Sequence, residues 1–205
     1  MGRSIKPKNK VARRFGVNLG LKTNAAKVAR RLSQGPGIQG ANRRRKSSSS
    51  FGKQLEEKQK AKYTYGLLEK QFRNLFKAAS AKSGVAGENL LQALECRLDN
   101  TIFRMGFART RRQARQLVSH KHIVVNGGIV NIPSFEVSPG DVISIRPKSR
   151  NLEVIEDSLA GSPRNKYKWV ETDPKSTTGK LLYVPTMEEI PENINVQLIV
   201  ELYSK

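Results

Sequence analysis

The sequence holds one cysteine, Cys96, and two histidines, His120 and His122. A lone cysteine excludes an internal disulfide framework and points to a reducing compartment. Structural zinc takes four tetrahedral ligands, usually Cys and His. Three scattered soft ligands do not supply them, so no metal site is expected. No apolar run approaches the roughly 18–20 residues of a membrane span, and no membrane partner is expected. The opening residues, MGRSIKPKNKVARRFG, lack the apolar stretch of a secretory signal. Acids are scarce as well: 17 Asp+Glu stand against 38 Lys+Arg in 205 residues, a net +21. A charge of that size and sign calls for a polyanionic partner, with nucleic acid the leading candidate. With 37% apolar residues the chain can bury a modest core, as one large domain or two small ones.

The charge is unevenly placed. Residues 1–60 hold 17 bases and two acids, Glu56 and Glu57. Residues 97–122 hold seven bases and one acid, Asp99, whereas residues 151–205 are net negative. That asymmetry describes binding faces, not a chain charged for solubility alone.

Periodicity supplies the elements. Asn24 can cap a short helix from 25 to about 33. Residues 35–50, with Gly35, Pro36, Gly37, Gly40, the run Arg43–Lys46 and four serines, are expected to stay extended unless a partner holds them. Residues 53–63 read as a polar helix. Residues 67–80 read as an amphipathic one, with Leu68, Phe72, Leu75, Phe76 and Ala79 on one stripe. The spacing of Leu91, Leu94, Leu98, Ile102 and Met105 predicts one helix over about 87–105, stopped by Gly106. Thr110 with Gln113 matches a capping box for a helix to about Ser119. Ala114, Leu117 and Val118 turn inward on it, which leaves Arg111, Arg112 and Arg115 outward. Ile123–Val125 and Ile129–Ile132 flank the hairpin turn Asn126-Gly127. Val142–Ile145, Tyr167–Glu171 and Leu181–Val184 are further strands. Residues 194–202 fit a strand or a helix.

Chemistry-bearing motifs are few. Gly35-x-Gly37-x-x-Gly40 satisfies a dinucleotide-binding expression, but no strand precedes it and no amphipathic helix follows, so it is rejected. The acid pairs Glu56-Glu57, Glu156-Asp157 and Glu188-Glu189 are adjacent and share no helix face. Nothing resembles a nucleophile elbow with its base and acid. No cofactor and no catalysis are expected. The three arginines of the capped helix, with His120 and Lys121 at its exit, form the sharp signal, because arginine offers a planar fork to phosphate oxygens.

Arg97 to Arg146, RLDNTIFRMGFARTRRQARQLVSHKHIVVNGGIVNIPSFEVSPGDVISIR, strongly resembles the S4 RNA-binding domain. Ser49 to Phe76 looks like the helical region of the bacterial-type ribosomal protein S4 family, and the ending INVQLIVELYSK is similar to that family's C-terminus. The resemblance implies an α+β fold: a mostly helical N-terminal domain with a basic extended arm, plus a small α/β domain carrying the S4 motif, two helices and a short twisted sheet. It divides the chain into an arm with a short helix at 1–50, a helical domain at 51–94 joined by 186–205, the S4 domain at 95–157 and a β extension at 158–185. It implies a non-enzymatic constituent of the small ribosomal subunit. Such a protein is a primary binder of 16S-type rRNA that nucleates assembly of the 30S body and contributes to translational accuracy. Its partners would be that rRNA, neighbouring small-subunit proteins and mRNA where it enters the subunit. It would act as no homo-oligomer, in the ribosomes of a bacterial cytoplasm.

The rRNA-binding set expected from charge and resemblance starts in the arm with Arg13, Arg14, Arg30, Arg31, Arg43, Arg44, Arg45 and Lys46. It continues with Lys53, Gln54, Lys58 and Arg73 in the helical region. In and after the S4 motif it comprises Arg97, Arg109, Arg111, Arg112, Arg115, His120, Lys121 and Lys148. Many relatives carry a four-cysteine zinc site near the N-terminus, so this chain resembles the zinc-free branch. Ile38-Gln39 stands where relatives often have Gln-His, and Ser50-Phe51-Gly52 where Asp-Tyr-Gly is common. An S4-domain enzyme, the rival reading, needs a catalytic domain beside the module, and neither flank holds a motif for one.

Overall fold

A computed structural model describes residues 6–22, 25–40, 49–161, 166–173 and 175–204. Asn24 and the run Arg43–Lys46 lie outside these. The chain divides into two compact units, residues 1–90 with 192–205 and residues 91–191.

In the first unit, α1 (Lys8–Phe15) ends on Gly16 in the left-handed region, φ 65°. Val11 and Ala12 are buried, as are Leu19 and Val28 beyond, and Phe15 meets Tyr63 at 6.1 Å between ring centroids. The arm is therefore partly folded, which corrects the expectation of a mainly extended segment. Its scattered apolar residues find a partner surface on α3 (Ser50–Thr64). The helix expected from 25 to 33 spans Ala25–Ala29, α2, and gives way to turns. Residues 35–40, rich in Gly and Pro, form a loop that is closed by hydrogen bonds and not extended.

Ser49 caps α3, its Oγ accepting from the Gly52 N–H. After α4 (Glu69–Ala81), α5 (Ala86–Glu95) leads out of the unit. The last segment returns as a helix, α9 (Val196–Tyr203), which resolves the ambiguity at 194–202. Asn195 caps it by accepting from the Leu198 N–H. Val196 and Ile199 are buried three residues apart while Gln197 is exposed, a helical rather than an alternating pattern. Tyr203 stacks on Phe76 at 4.5 Å, and Gln54 donates to Glu201 at 2.9 Å.

Glu69 gathers Lys58 and Lys62, the latter at 2.7 Å. Partial burial opposes its ionisation. Hydrogen bonds from the two lysines, and then their charges, outweigh that and hold its pKa below the ordinary 4.5. A depressed carboxyl stabilises the fold above its unfolded-state pKa and withdraws that support as pH falls through the folded one. An acid titration followed by circular dichroism should show this unit losing stability below about pH 4.5. Glu69→Gln should flatten that limb, and an unchanged limb would remove Glu69 from the account.

In the second unit the single helix expected over 87–105 is broken. α5 stops at Glu95, and α6 (Leu98–Arg104) begins after a break of two residues, Cys96 and Arg97. The loop 133–137 takes the backbone groups between them. Leu98 N–H donates to the Phe135 carbonyl at 2.9 Å, and Val137 N–H to the Cys96 carbonyl at 2.8 Å. The apolar stripe survives the break, with Leu91, Leu94, Leu98, Ile102 and Met105 all buried. Gly106, at φ 80°, stops the helix.

α7 (Arg111–Ser119) packs on α6. An antiparallel sheet follows, in the order β2-β1-β3-β5-β4. β1 (Ile123–Val125) and β2 (Gly128–Ile129) meet at Asn126-Gly127, both with positive φ, and β3 is Val142–Ile145. β2 is shorter than the Ile129–Ile132 strand expected. β4 (Val170–Asp173) and β5 (Thr178–Leu181) sit about three residues from the expected positions, and Thr177, immediately before β5, takes φ 55°. A helix the sequence reading did not anticipate, α8 (Glu153–Ala160), buries Ile155. Leu98, Ile102, Phe107, Val118, Ile123, Ile143, Ile145 and Trp169 share the core. The fold is α+β.

Candidate nucleic-acid interface

The geometry of the S4 helix starts at its cap. The Thr110 hydroxyl accepts from the Gln113 N–H, and the Gln113 side chain accepts from the Arg109 N–H at 3.0 Å. The reciprocal bond therefore lands one residue before the cap. Thr110→Ala should lower stability by about 1 kcal/mol, measured as a shift in the urea midpoint. No shift would mean the hydroxyl is replaceable by water.

Beneath the helix two acids organise the arginines. Asp99 accepts from both Arg97 Nε and Nη2, at 3.2 and 3.0 Å, and from Arg115 Nη1 at 3.2 Å. Glu95 accepts from Arg104 Nη2 and Nε at 2.7 and 2.8 Å, and from the Asn100 amide at 2.8 Å. Asn100 in turn accepts from Arg111 Nε at 2.7 Å, and the Arg111 guanidinium lies over Phe103. Arg104 also donates to the Tyr167 hydroxyl at 3.0 Å. Burying charge is costly unless it is paired and hydrogen-bonded, and this network meets both conditions.

Arg115 is thus buried, not outward, which corrects the expected three-arginine face. The single acid of residues 97–122 pulls it and Arg97 inward. Replacing Arg111, Arg112 and Arg115 together would therefore disturb packing as well as charge. Arg111 and Arg112 are half-buried, whereas Arg109 is exposed and donates to the Asp157 carbonyl at 2.8 Å. At the helix exit Lys121 adopts φ 62°. His120 and Lys121 are exposed, as are Lys148 and Arg150 after β3. His122 pairs its Nδ1 with the Ser149 hydroxyl at 2.9 Å. Burial, then the neighbouring His120 and Arg146, push its pKa down, which favours the neutral ring.

Residues 3–95 match the model of the ribosomal protein S4/S9 N-terminal domain, and residues 96–143 match the S4 domain. Over all 205 residues, covering 100% of both chains, the sequence is 56% identical to small ribosomal subunit protein uS4 of Phocaeicola vulgatus. With equal coverage it is 57% identical to that of Porphyromonas gingivalis and 51% to that of Cytophaga hutchinsonii. The chain belongs to the uS4 family.

Within this uS4 chain the expected contact residues separate by burial. In the first unit Arg14, Arg30, Arg31, Lys53 and Arg73 are exposed. Gln54 and Lys58 are buried against Glu201 and Glu69, and Arg13 is half-buried against backbone carbonyls. Gln54, Lys58, Arg97 and Arg115, expected to reach outward, are drawn in by the carboxylates of Glu201, Glu69 and Asp99. Sequence reasoning missed Glu95 and Asn100 as organisers of this uS4 surface. Their signal was present: a glutamate and an asparagine embedded in an otherwise leucine-rich stripe. It also passed over Arg146 and Arg150, which flank Lys148 in a short basic run. Among the described residues no helix is long and apolar enough to cross a membrane, and no group of three or more His, Cys, Asp or Glu side chains is placed to hold a metal ion.

Proposed function

We propose that this uS4-family chain is a structural constituent of the small ribosomal subunit and binds its 16S-type rRNA, working by binding and not by turnover. The observation that carries the reading is how charge is sorted across the S4 unit. Asp99 and Glu95 are consumed by the buried Arg97, Arg115 and Arg104, while Arg109, His120, Lys121, Lys148 and Arg150 stay exposed. Exposed bases neutralise phosphates and release counterions, which supplies affinity. Side chains cannot read the deep major groove of folded RNA, so recognition rests on shape, phosphates and 2′-hydroxyls. Rigid elements bearing spaced bases suit that task.

On this reading the direct contacts are Arg14, Arg30, Arg31, Arg43–Lys46, Lys53, Arg73, Arg109, Arg111, Arg112, His120, Lys121 and Lys148. The buried Gln54, Lys58, Arg97 and Arg115 shape the surface that bears them. The partly folded arm of residues 1–50 lies along the RNA, residues 51–94 with 186–205 form the helical body, residues 95–157 carry the S4 motif, and residues 158–185 extend its sheet. The chain nucleates the 30S body, contacts neighbouring proteins and incoming mRNA, contributes to accuracy, and works as one copy per subunit in bacterial cytoplasm. Sedimentation of a cell extract at low salt tests this. Stoichiometric co-migration with the small subunit is expected. Migration as free protein or with the large subunit alone would contradict it.

A further inference from the structure

Two side chains of the S4 unit differ from its arginines and lysines in being able to change charge near neutral pH. His120 and His122 are the chain's only histidines. Both stand where α7 turns into β1, their ring centroids 6.1 Å apart. The turn is held from several sides. Lys121, at φ 62°, reverses the chain between the two rings. The His122 N–H donates to the Leu117 carbonyl at 3.1 Å, and the Arg146 N–H donates to the His122 carbonyl at 2.8 Å. The hydroxyl of the buried Ser149 meets His122 Nδ1 at 2.9 Å, which fixes that ring. The charged groups around the pair are cations. Lys121 lies between the rings in the chain, Arg146 stands against His122, and Lys148 and Arg150 flank Ser149. α7, β1, β3 and residues 146–150 contain no Asp or Glu. Acids enter on the elements beyond. Asp99 on α6 is taken up by Arg97 and Arg115. Asp173 before β5 accepts from the Lys175 N–H and the Ser176 hydroxyl, and Glu153 opens α8.

We propose that the His120–His122 pair makes rRNA binding proton-linked: a phosphate of the RNA is received by the pair with a proton added, and the complex holds a proton that the free chain lacks. The inference rests on the rRNA-binding reading above and adds its regulation by pH. In the free chain an imidazolium at His122 would stand among cations with no carboxylate on its own elements to answer it, so that ring is held neutral. A phosphate seated against His120 and Lys121 reverses the sign of the surroundings and favours the charged form. The ring N–H groups then donate to phosphate oxygens as charge-assisted bonds, the stronger kind. A group that is neutral when free and charged when bound adds affinity that is absent above its bound-state pKa and grows as pH falls through it. Binding therefore tightens from about pH 8 towards pH 6, a window in which histidine is the side chain that ordinarily titrates. Carboxylates change charge below it and lysines above it.

The test titrates the native full chain, His120→Gln and the double variant His120→Gln/His122→Gln against a small-subunit rRNA fragment across that pH window at fixed salt. Calorimetry in two buffers of different ionisation enthalpy counts the protons exchanged, and circular dichroism checks each fold at each pH. Native affinity should rise about five- to tenfold from the alkaline to the acid end, the effect of one proton whose pKa is raised by about one unit in the complex. Net proton uptake should accompany it. The double variant has no imidazole and should lose both the rise and the uptake. Any pH dependence contributed by the RNA itself remains in that variant and serves as the baseline. A double variant with the same pH profile and uptake as the native chain would overturn the proposal, as would native binding that takes up no proton. If the double variant loses helix signal, His120→Gln at its exposed position decides: reduced uptake supports the linkage and unchanged uptake overturns it. A native chain that shows no preference for the rRNA fragment over an unrelated RNA at any pH would instead remove the rRNA-binding reading, and this inference with it.

Discussion

Glu95→Ala should cost the second unit about 3–5 kcal/mol of stability, the range for breaking a buried ion pair by deleting one partner. The Glu95 side chain is 0% exposed and that of Arg104 2%. Two guanidinium nitrogens and the Asn100 amide converge on that one carboxylate. Its loss leaves the buried Arg104 cation without this carboxylate and removes an acceptor from Asn100, which positions Arg111 on the face of α7. Set against a typical total of about 5–15 kcal/mol, such a loss brings many domains to the edge of unfolding. Glu95→Gln keeps an acceptor oxygen of the same size and should cost less. Urea unfolding, followed by the fluorescence of Trp169, the chain's one tryptophan, measures both. A loss below about 1 kcal/mol, the value of an exposed pair, would mean that water reaches the network.

Replacing Arg43, Arg44, Arg45 and Lys46 together with glutamine is expected to have the largest effect on binding. These four are among the 17 bases of residues 1–60, and no acid lies near them in the sequence. If each neutralises a phosphate, the slope of log K against log salt should become shallower by about 0.9 apiece, roughly 3.6 for the set. At about 0.1 M salt that amounts to some three orders of magnitude in affinity. The substitution leaves the buried Val11, Ala12, Leu19 and Val28 in place, whereas deleting residues 1–46 would remove them and confuse lost charge with lost packing. Preference for small-subunit rRNA over other RNA should fall less than affinity, since phosphate contacts position and shape specifies. An unchanged slope would place this run off the RNA.

The elements that repeat an apolar period were legible beforehand. The spacing from Leu91 to Met105 marks helix, and all five residues are buried, but the continuity of the stripe hides the break at Cys96 and Arg97. That break is imposed by loop 133–137, some forty residues on, and no local pattern reports it. The hairpin at Asn126-Gly127 was legible because its turn residues tolerate positive φ, whereas Thr177 took a positive φ without such a signal. The α9 assignment turned on the Asn195 cap and on a partner helix contributed from far up the chain. At the site, composition found the bases but not their directions. Charge is countable in a sequence, but whether Arg115 points to solvent or to Asp99 depends on which helix packs beside it. The bland acids, Asp99 and Glu95, therefore decide which arginines reach the surface.

The most direct test of the central claim is a matched titration of the full chain against a multi-helix junction from small-subunit rRNA and an unrelated folded RNA of equal length, across a series of salt concentrations. A steep negative salt slope is expected for both RNAs, with tighter binding to the junction at every salt and a preference that persists as electrostatic affinity is screened away. Equal affinity for the two RNAs throughout the series would reduce the protein to a nonspecific polycation and contradict the account.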